Sequence, residues 1–510
     1  MTTTEVGPAA PRAPARHGAL RRFDMILFSV TAILLLSEVP VTAQLGQSVV
    51  IWTVVVIFMF FVPYGLITAE LGSTYPDTGG IYSWVARAFG PFWGTQVSWW
   101  YWVNVGIWLP SVYLMFSTLL GQLFGVSISY WPNVLIAVAL IWVNFAINVV
   151  KLDTSKWVAN TAAVITVTVM IVLAVSGAVF AARHGSANPW NSSTLLPGWT
   201  TVGFLGVLVY NFLGFELMSS ASEEMRNPKR DVPRTILTAG VLIGVLYLVS
   251  VVGMLLLRPL ASIEPTTGLY SALKTGLGSS GVGGAFAFVL GLGALYCFFA
   301  LLIPWTIGAN RSAAEAAQRG DLPRVFGHMN QRFGTPVGAA TLISVVGTAF
   351  TLVWGIIVAT AGKNSGVETL FWNLFAFSSV VFLFCYLVMT AAFFKLRRKD
   401  PTTPRPYMVP GGTFGAVVVS VLCIAFVSAG IVFFIWDPSG PPDWSFIGQM
   451  TIGLVVVGVM GLLFARLSSH HPATPTHGQP EAGADAELSG LVSDHPDELM
   501  EPETQAEGSR

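Results

Sequence analysis

The sequence predicts an all-α integral membrane protein with twelve transmembrane helices. The first observation is composition: of 510 residues, 54% are hydrophobic and only 10% are charged. A soluble protein carries about 25% charged residues, so an ordinary soluble enzyme, a disordered chain and a nucleic-acid binder are excluded. The second observation is that the apolar residues form long runs. A helix of about 20 such residues crosses a bilayer, so the lipid bilayer is the expected environment.

Twelve apolar runs are long enough to cross the membrane. Each is predicted to be helical because backbone groups in lipid must be paired within their own segment. A transmembrane β-barrel would show short segments of alternating hydrophobicity instead. The predicted spans are 25–46, 49–69, 92–122, 131–150, 157–181, 200–222, 235–257, 284–310, 339–361, 368–394, 414–436 and 445–466.

The two ends of the chain differ in composition from this membrane domain, which covers residues 23–467. Residues 1–22 are rich in Pro, Ala and Thr, and residues 468–510 carry nine acidic residues against one base, Arg510. Both ends are predicted to be disordered because they hold too little apolar surface to form a core. Lysine and arginine concentrate in one set of alternating loops, so both termini are expected in the cytoplasm of a cell-membrane protein.

Two acidic residues lie deep within apolar runs. Glu38 sits in the first span and Glu216 in the sixth. An ionisable group in a membrane helix costs about 2.5–3.5 kcal/mol or more, so each is a candidate functional residue. The alternative for each is a structural carboxyl, protonated or hydrogen-bonded to unwound backbone.

Both acids have a helix breaker beside them. Pro40 follows Glu38 by two residues, and Gly214 precedes Glu216 by two residues. The first and sixth spans correspond if the chain holds two five-helix repeats, about 23–182 and 198–394, with two extra helices within 414–466. Five is odd, so the repeats would be inverted. Interrupted helices at matching positions of inverted repeats indicate a transporter's substrate site.

Other kinds of site have no support in the sequence. The three cysteines lie inside apolar runs without a CxxC pair, so no metal and no cofactor is predicted. The segment Ser271–Gly276 resembles penicillin-recognising motifs, but these overlap in one loop and chance is the better account. An integral-membrane enzyme is therefore kept only as an alternative of another class, and a channel is left open.

Six stretches carry recognisable motifs: 70–82, 214–216, 223–233, 310–312, 320–323 and 405–412. Together they resemble the amino acid–polyamine–organocation (APC) permease superfamily over roughly residues 20–467. The first span departs from the family's usual G-x-G segment and reads Leu-Ser-Glu-Val-Pro, which is closer to the bacterial glutamate/GABA antiporter branch.

The resemblance implies a LeuT-like fold, with five-plus-five inverted repeats and helices 1 and 6 unwound at mid-membrane. It implies a substrate held between those helices, with help from helices 3, 8 and 10. Carried over by position, the substrate-binding residues are Leu36, Ser37, Glu38, Val39, Tyr210, Gly214, Phe215, Glu216 and Trp305.

The predicted function is a secondary active transporter of amino acids or related amines that works by alternating access. It is expected to be proton-coupled or an exchanger, with Glu216 as the first candidate for the coupling proton and Glu38 as the second. A polyamine transporter of the same fold is the alternative. A major-facilitator protein is disfavoured because the loop between the sixth and seventh spans is short.

Overall fold

The computed structural model describes residues 29–30, 32–76, 80–150, 155–217, 228–360, 366–438 and 440–467, and these hold helices and no strands. The predicted disordered ends, 1–22 and 468–510, lie outside them, as do residues 223–227 of the motif 223–233. The α-helices, numbered in chain order, are α1 Glu38–Thr42, α2 Val49–Val56, α3 Val62–Thr74, α4 Ile81–Phe89, α5 Pro91–Phe124, α6 Tyr130–Val149, α7 Ser155–His184, α8 Ser192–Leu195, α9 Trp199–Val202, α10 Leu205–Asn211, α11 Pro228–Leu257, α12 Gly268–Leu277, α13 Gly281–Ala300, α14 Leu302–Gln318, α15 Val337–Thr360, α16 Val367–Lys399, α17 Gly412–Ile435 and α18 Trp444–Leu467.

Ten helical stretches in the described residues are long and apolar enough to cross a membrane. Eight predicted spans correspond to the single helices α5, α6, α7, α11, α15, α16, α17 and α18. The predicted span 284–310 is divided between α13 and α14 at Leu301, because Pro304 lacks the N–H that would continue the helix. The second predicted span, 49–69, is divided between α2 and α3, and the first and sixth, which each contain a helix breaker, are not single helices in the structure.

The first predicted span is helical at Ala32 and Ile33, irregular over residues 34–37, and helical again from Glu38. This restart places Pro40 in the first turn of α1, where a missing backbone N–H costs nothing. The sixth span follows the same pattern: α10 ends at Asn211 and residues 212–216 are irregular. Both interruptions coincide with the breakers that the sequence contains.

Two long helices form the centre of the bundle. Helices α5 and α16 pack against each other, and α5 also contacts α6, α14 and α15. Other helices expose apolar side chains along their length, such as Val241 on α11 and Ile452 on α18, which are 70% and 68% exposed. Such faces are expected to contact lipid, because a soluble monomer rarely exposes large apolar patches.

A buried carboxylate forms ion pairs and hydrogen bonds between helices at one end of the bundle. Glu70, at the C-terminal part of α3, is fully buried and accepts a hydrogen bond from Arg405 Nη1 at 3.1 Å. Its other oxygen accepts from the backbone N–H of Val409 at 2.7 Å, and Arg397 Nε lies 3.6 Å from Oε1. We call this group the Glu70 cluster. It joins α3 to the end of α16 and to the loop that follows.

We expect Glu70→Ala to lower the free energy of unfolding by about 3–5 kcal/mol, since it leaves two largely buried guanidinium groups without their carboxylate. Glu315→Ala is the matched control, because its partner Arg319 is one turn away and both are partly exposed. The control should change the free energy by about 0–1 kcal/mol. Denaturant unfolding of the detergent-solubilised protein measures both, and equal effects would contradict the assignment.

Candidate functional site

The non-helical backbone of the first interruption is hydrogen-bonded by a tyrosine from a helix distant in sequence. The Tyr247 hydroxyl on α11 accepts from the backbone N–H of Leu35 and donates to the carbonyl of Ile33, both at 2.9 Å. The indole N–H of Trp305 on α14 donates to the carbonyl of Ala32 at 3.2 Å. These bonds replace helical hydrogen bonds that the break removes, so the non-helical backbone is not left unpaired.

The second interruption has a corresponding tyrosine. The Tyr64 hydroxyl on α3 accepts from the backbone N–H groups of Gly214 and Phe215, each at 3.1 Å. Gly214 has a φ of 125°, which favours glycine, and a Cβ there would lie 3.0 Å from a side-chain carbon of Ile33. The two interruptions therefore lie against each other.

Glu216 is the acceptor of three tyrosine hydroxyls. Tyr64 donates to Oε2 at 2.6 Å, Tyr386 donates to Oε1 at 2.7 Å, and Tyr101 lies 3.4 Å from Oε1. Both lone pairs of Tyr64 already accept N–H groups, so its one proton must point to Glu216 Oε2. Oε1 is the favoured position for a proton on this carboxylate, because the Tyr386 hydroxyl can turn there and become the acceptor.

Glu38 is as deeply buried as Glu216 but has few partners. Its side chain is 1% exposed, and Oε1 accepts only a long hydrogen bond of 3.3 Å from Ser37. Oε2 has no hydrogen-bond partner among the described residues. Buried polar atoms are nearly always paired, so an unpaired carboxylate oxygen next to a helix interruption indicates a place for a missing partner.

A polar chain links Glu38 to the second interruption. Thr42 donates to the carbonyl of Glu38 at 2.6 Å and accepts from the side-chain amide of Asn211 at 2.6 Å. Asn211 is the last residue of α10, and its Oδ1 has no partner among the described residues. A rearrangement of one interrupted segment would therefore change a hydrogen bond of the other.

Four aromatic rings form a closed cluster beside both interruptions, and we call it the aromatic ring cluster. Trp108, Tyr210, Phe382 and Trp305 follow one another around it, with ring centroids 5.6–6.5 Å apart. The indole N–H of Trp108 has no partner in the described part of the chain. Rings and an unpaired carboxylate together suit an organic cation, because a ring face attracts positive charge.

A small cavity of about 40 Å³ reaches Glu216 and Tyr101 from the end of the bundle that holds the Glu70 cluster. Its walls include Ser98 on α5, Ser312 on α14 and Tyr82 on α4. The Tyr82 hydroxyl donates a hydrogen bond to Asp321, which joins α4 to the loop after α14. This volume is large enough for water, so a proton could reach Oε1 from this side.

The remaining predicted residues are buried in the same region but have different neighbours. Phe215 packs against Phe61 and Tyr64, with ring centroids 5.2 and 5.9 Å away, and not against the aromatic ring cluster. Leu36 and Val39 flank Glu38 and are 2% and 0% exposed.

Sequence reasoning did not select the tyrosines that bind the two interruptions and Glu216. The available signal was a tyrosine inside an apolar helix, since a buried hydroxyl usually has a hydrogen-bond partner. These residues are Tyr64, Tyr101, Tyr247 and Tyr386.

We expect Tyr247→Phe to lower the free energy of unfolding by about 1–3 kcal/mol, because the N–H of Leu35 and the carbonyl of Ile33 lose their partner. Tyr296→Phe is the control, since that hydroxyl bonds only the carbonyl of Val158, away from the interruptions. Denaturant unfolding measures the difference. Equal effects of the two variants would contradict a special role of Tyr247.

A bundle of apolar helices with two buried carboxylates at helix interruptions is the architecture of a multi-pass membrane transporter. The model of the amino acid permease family matches residues 20–461. The chain therefore belongs to the amino acid permease family, within the APC superfamily, which confirms the resemblance found in the sequence. Membership also favours a transporter over the membrane-enzyme alternative.

Named relatives and solved structures agree with this assignment. The chain is 32% identical to a probable agmatine/putrescine antiporter of Lactococcus lactis, covering 81% of this chain and 86% of the relative. It is 25% identical to a probable polyamine transporter of Arabidopsis thaliana, covering 71% and 68%. A crystal structure of an Eremococcus coleocola manganese transporter matches with a TM-score of 0.52 and 13% identity, covering 90% and 96%, which concerns the fold alone.

Proposed function

We propose that this permease is an exchanger of organic amines, with proton transfer at Glu216, that works by alternating access across the cell membrane. The observation that carries the proposal is the unpaired Oε2 of Glu38, which lies close enough to Tyr210 of the aromatic ring cluster for its charge to act on that ring. The proposed architecture is the LeuT-like one, with twelve crossings and two inverted five-helix repeats.

The substrate class follows from charge. A buried carboxylate without a partner is costly, and an ammonium or guanidinium group would neutralise it and supply hydrogen bonds. Glu38 also occupies the first turn of α1, where a substrate carboxylate would otherwise meet free N–H groups. A second negative charge there would be repelled, so an amine without a carboxylate fits better than an amino acid. The relatives named for agmatine, putrescine and polyamines support this choice.

The repeat relation is supported by the two capping tyrosines. Tyr64 comes from the second predicted span and binds the interruption of the sixth. Tyr247 comes from the seventh predicted span and binds the interruption of the first. Spans two and seven are five apart, as are spans one and six. An inverted repeat would therefore relate Tyr64 and its contact to Tyr247 and its contact.

Alternating access then requires the two interrupted segments to move as a unit. Asn211 and Thr42 join them, and Tyr64 on α3 binds both the backbone and the Glu216 carboxylate of the second segment. Protonation at Glu216 Oε1 would reverse the hydrogen bond with Tyr386, so that the Tyr386 hydroxyl proton no longer points to Glu216. In this proposal, the amine at Glu38 and the proton at Glu216 bias the same pair of segments.

Competition for uptake into proteoliposomes tests the substrate class. Labelled putrescine would be the probe, and unlabelled agmatine, spermidine, arginine, glutamate and GABA the competitors. We expect agmatine and spermidine to compete at much lower concentration than the amino acids. Stronger competition by glutamate or GABA would contradict the amine assignment and favour an amino acid substrate.

A further inference from the structure

A second polar pocket lies at the end of the bundle opposite the Glu70 cluster. It has a volume of about 390 Å³ and opens where α5 ends, α11 ends and the short helix α12 crosses them. Its walls are polar and cationic, unlike the apolar surroundings of the substrate site. The lining residues are Gln122, Arg258, Tyr270, Ser271, Lys274, Thr275 and Ser279.

Two cations face this pocket without a carboxylate. Neither Arg258 nor Lys274 forms an ion pair within 4.0 Å among the described residues, and Arg258 Nε is a buried atom without a hydrogen-bond partner. Two acids of this region form no ion pair with either cation: Glu264 accepts from Thr267, and Glu368 accepts from Thr266 at Oε2 while its Oε1 has no partner among the described residues. Two like charges along one cavity repel each other unless an anion enters.

We propose that this pocket binds a phosphate-type oxyanion, either free or as the headgroup of an anionic lipid. The planar guanidinium of Arg258 is suited to two parallel hydrogen bonds with an oxyanion, and Lys274 adds a point charge. The side-chain amide of Gln122 uses one N–H for the carbonyl of Thr267 and retains a second donor. The volume exceeds what a single monatomic ion would fill.

The position of the pocket is compatible with either source. Phe124, two residues beyond Gln122, is 61% exposed, and Phe286 on α13 is 45% exposed, so an acyl chain could continue along an apolar surface. The segment Ser271–Gly276, which resembles an enzyme motif in the sequence, contributes residues to this anion pocket in the proposal. Ser271, Lys274 and Thr275 share one face of α12 because they are spaced three and four residues apart.

Thermal unfolding of the delipidated full chain tests the proposal with two probes. One arm adds inorganic phosphate in detergent, with chloride at equal ionic strength as reference. The other arm uses nanodiscs of phosphatidylglycerol against phosphatidylcholine. We expect at least one probe to raise the unfolding midpoint. An effect of phosphate indicates a free anion, and an effect of phosphatidylglycerol alone indicates a lipid headgroup.

Lys274→Gln should lower the binding affinity for the probe that raises the midpoint about tenfold, equivalent to about 1.4 kcal/mol. The Lys274 side chain is exposed, so this variant is expected to fold, and Lys274→Arg should restore binding. Arg183→Gln is the matched control, since Arg183 is an exposed cation in the last turn of α7, outside the pocket. Unchanged midpoints of the parent protein with both probes, or equal responses of Lys274→Gln and the parent, would overturn the proposal.

Discussion

Glu216→Gln should abolish the pH dependence of amine transport while leaving the protein folded. Glutamine keeps the size of the side chain and an oxygen that can accept from Tyr64, but it cannot take up a proton at Oε1. The proposal assigns the transported proton to this atom because Tyr64 fixes the other oxygen as an acceptor. Uptake of labelled putrescine into proteoliposomes, measured from pH 5 to 8, should give a flat profile.

The control for this variant is Tyr386→Phe, which removes the hydroxyl that must turn when Oε1 is protonated but keeps the carboxylate. We expect its uptake to remain pH-dependent, with a displaced profile. If Glu216→Gln retained the parent profile, the carboxylate would be structural, which was the alternative already present at the sequence level.

Glu38→Gln should weaken amine binding about 100-fold, equivalent to about 2.8 kcal/mol. The magnitude is that of removing one member of a buried, hydrogen-bonded charge pair. The variant should still fold, since Oε2 has no partner among the described residues and only the long Ser37 bond is affected. Isothermal titration of putrescine in detergent measures the affinity directly.

The two carboxylate variants are controls for each other. Glu38→Gln should lose affinity without altering the shape of the pH profile of residual uptake. Glu216→Gln should lose the pH dependence of uptake. Its affinity for putrescine should change by a smaller factor than that of Glu38→Gln. An equal loss of affinity in both variants would contradict the division of roles between the two carboxylates.

The sequence predicted much of the fold because the membrane imposes a simple rule on composition. Long apolar runs locate the helices, and Pro40 and Gly214 locate both interruptions to within a few residues. The exact count of continuous spans was not predictable in the same way. The run that holds α13 and α14 is as apolar as one that forms a single helix, so composition alone does not give the number of separate helices.

The candidate site was predicted less completely, for a physical reason. Glu38 and Glu216 stand out because charge in an apolar run is rare. Tyr64 and Tyr247 do not, since a tyrosine suits an apolar helix and its partner is set by tertiary packing more than 100 residues away. The aromatic ring cluster likewise combines residues from four helices, and only Tyr210 and Trp305 of its members were selected.

Counterflow tests the central claim, exchange of organic amines through one site, most directly. Proteoliposomes would be loaded with unlabelled agmatine or with buffer, and labelled putrescine added outside. We expect internal agmatine to drive transient accumulation of labelled putrescine above equilibrium, and Glu38→Gln to reduce this accumulation strongly. Equal entry into loaded and empty vesicles would rule out exchange, and full counterflow in Glu38→Gln would rule out Glu38 as the amine-binding group.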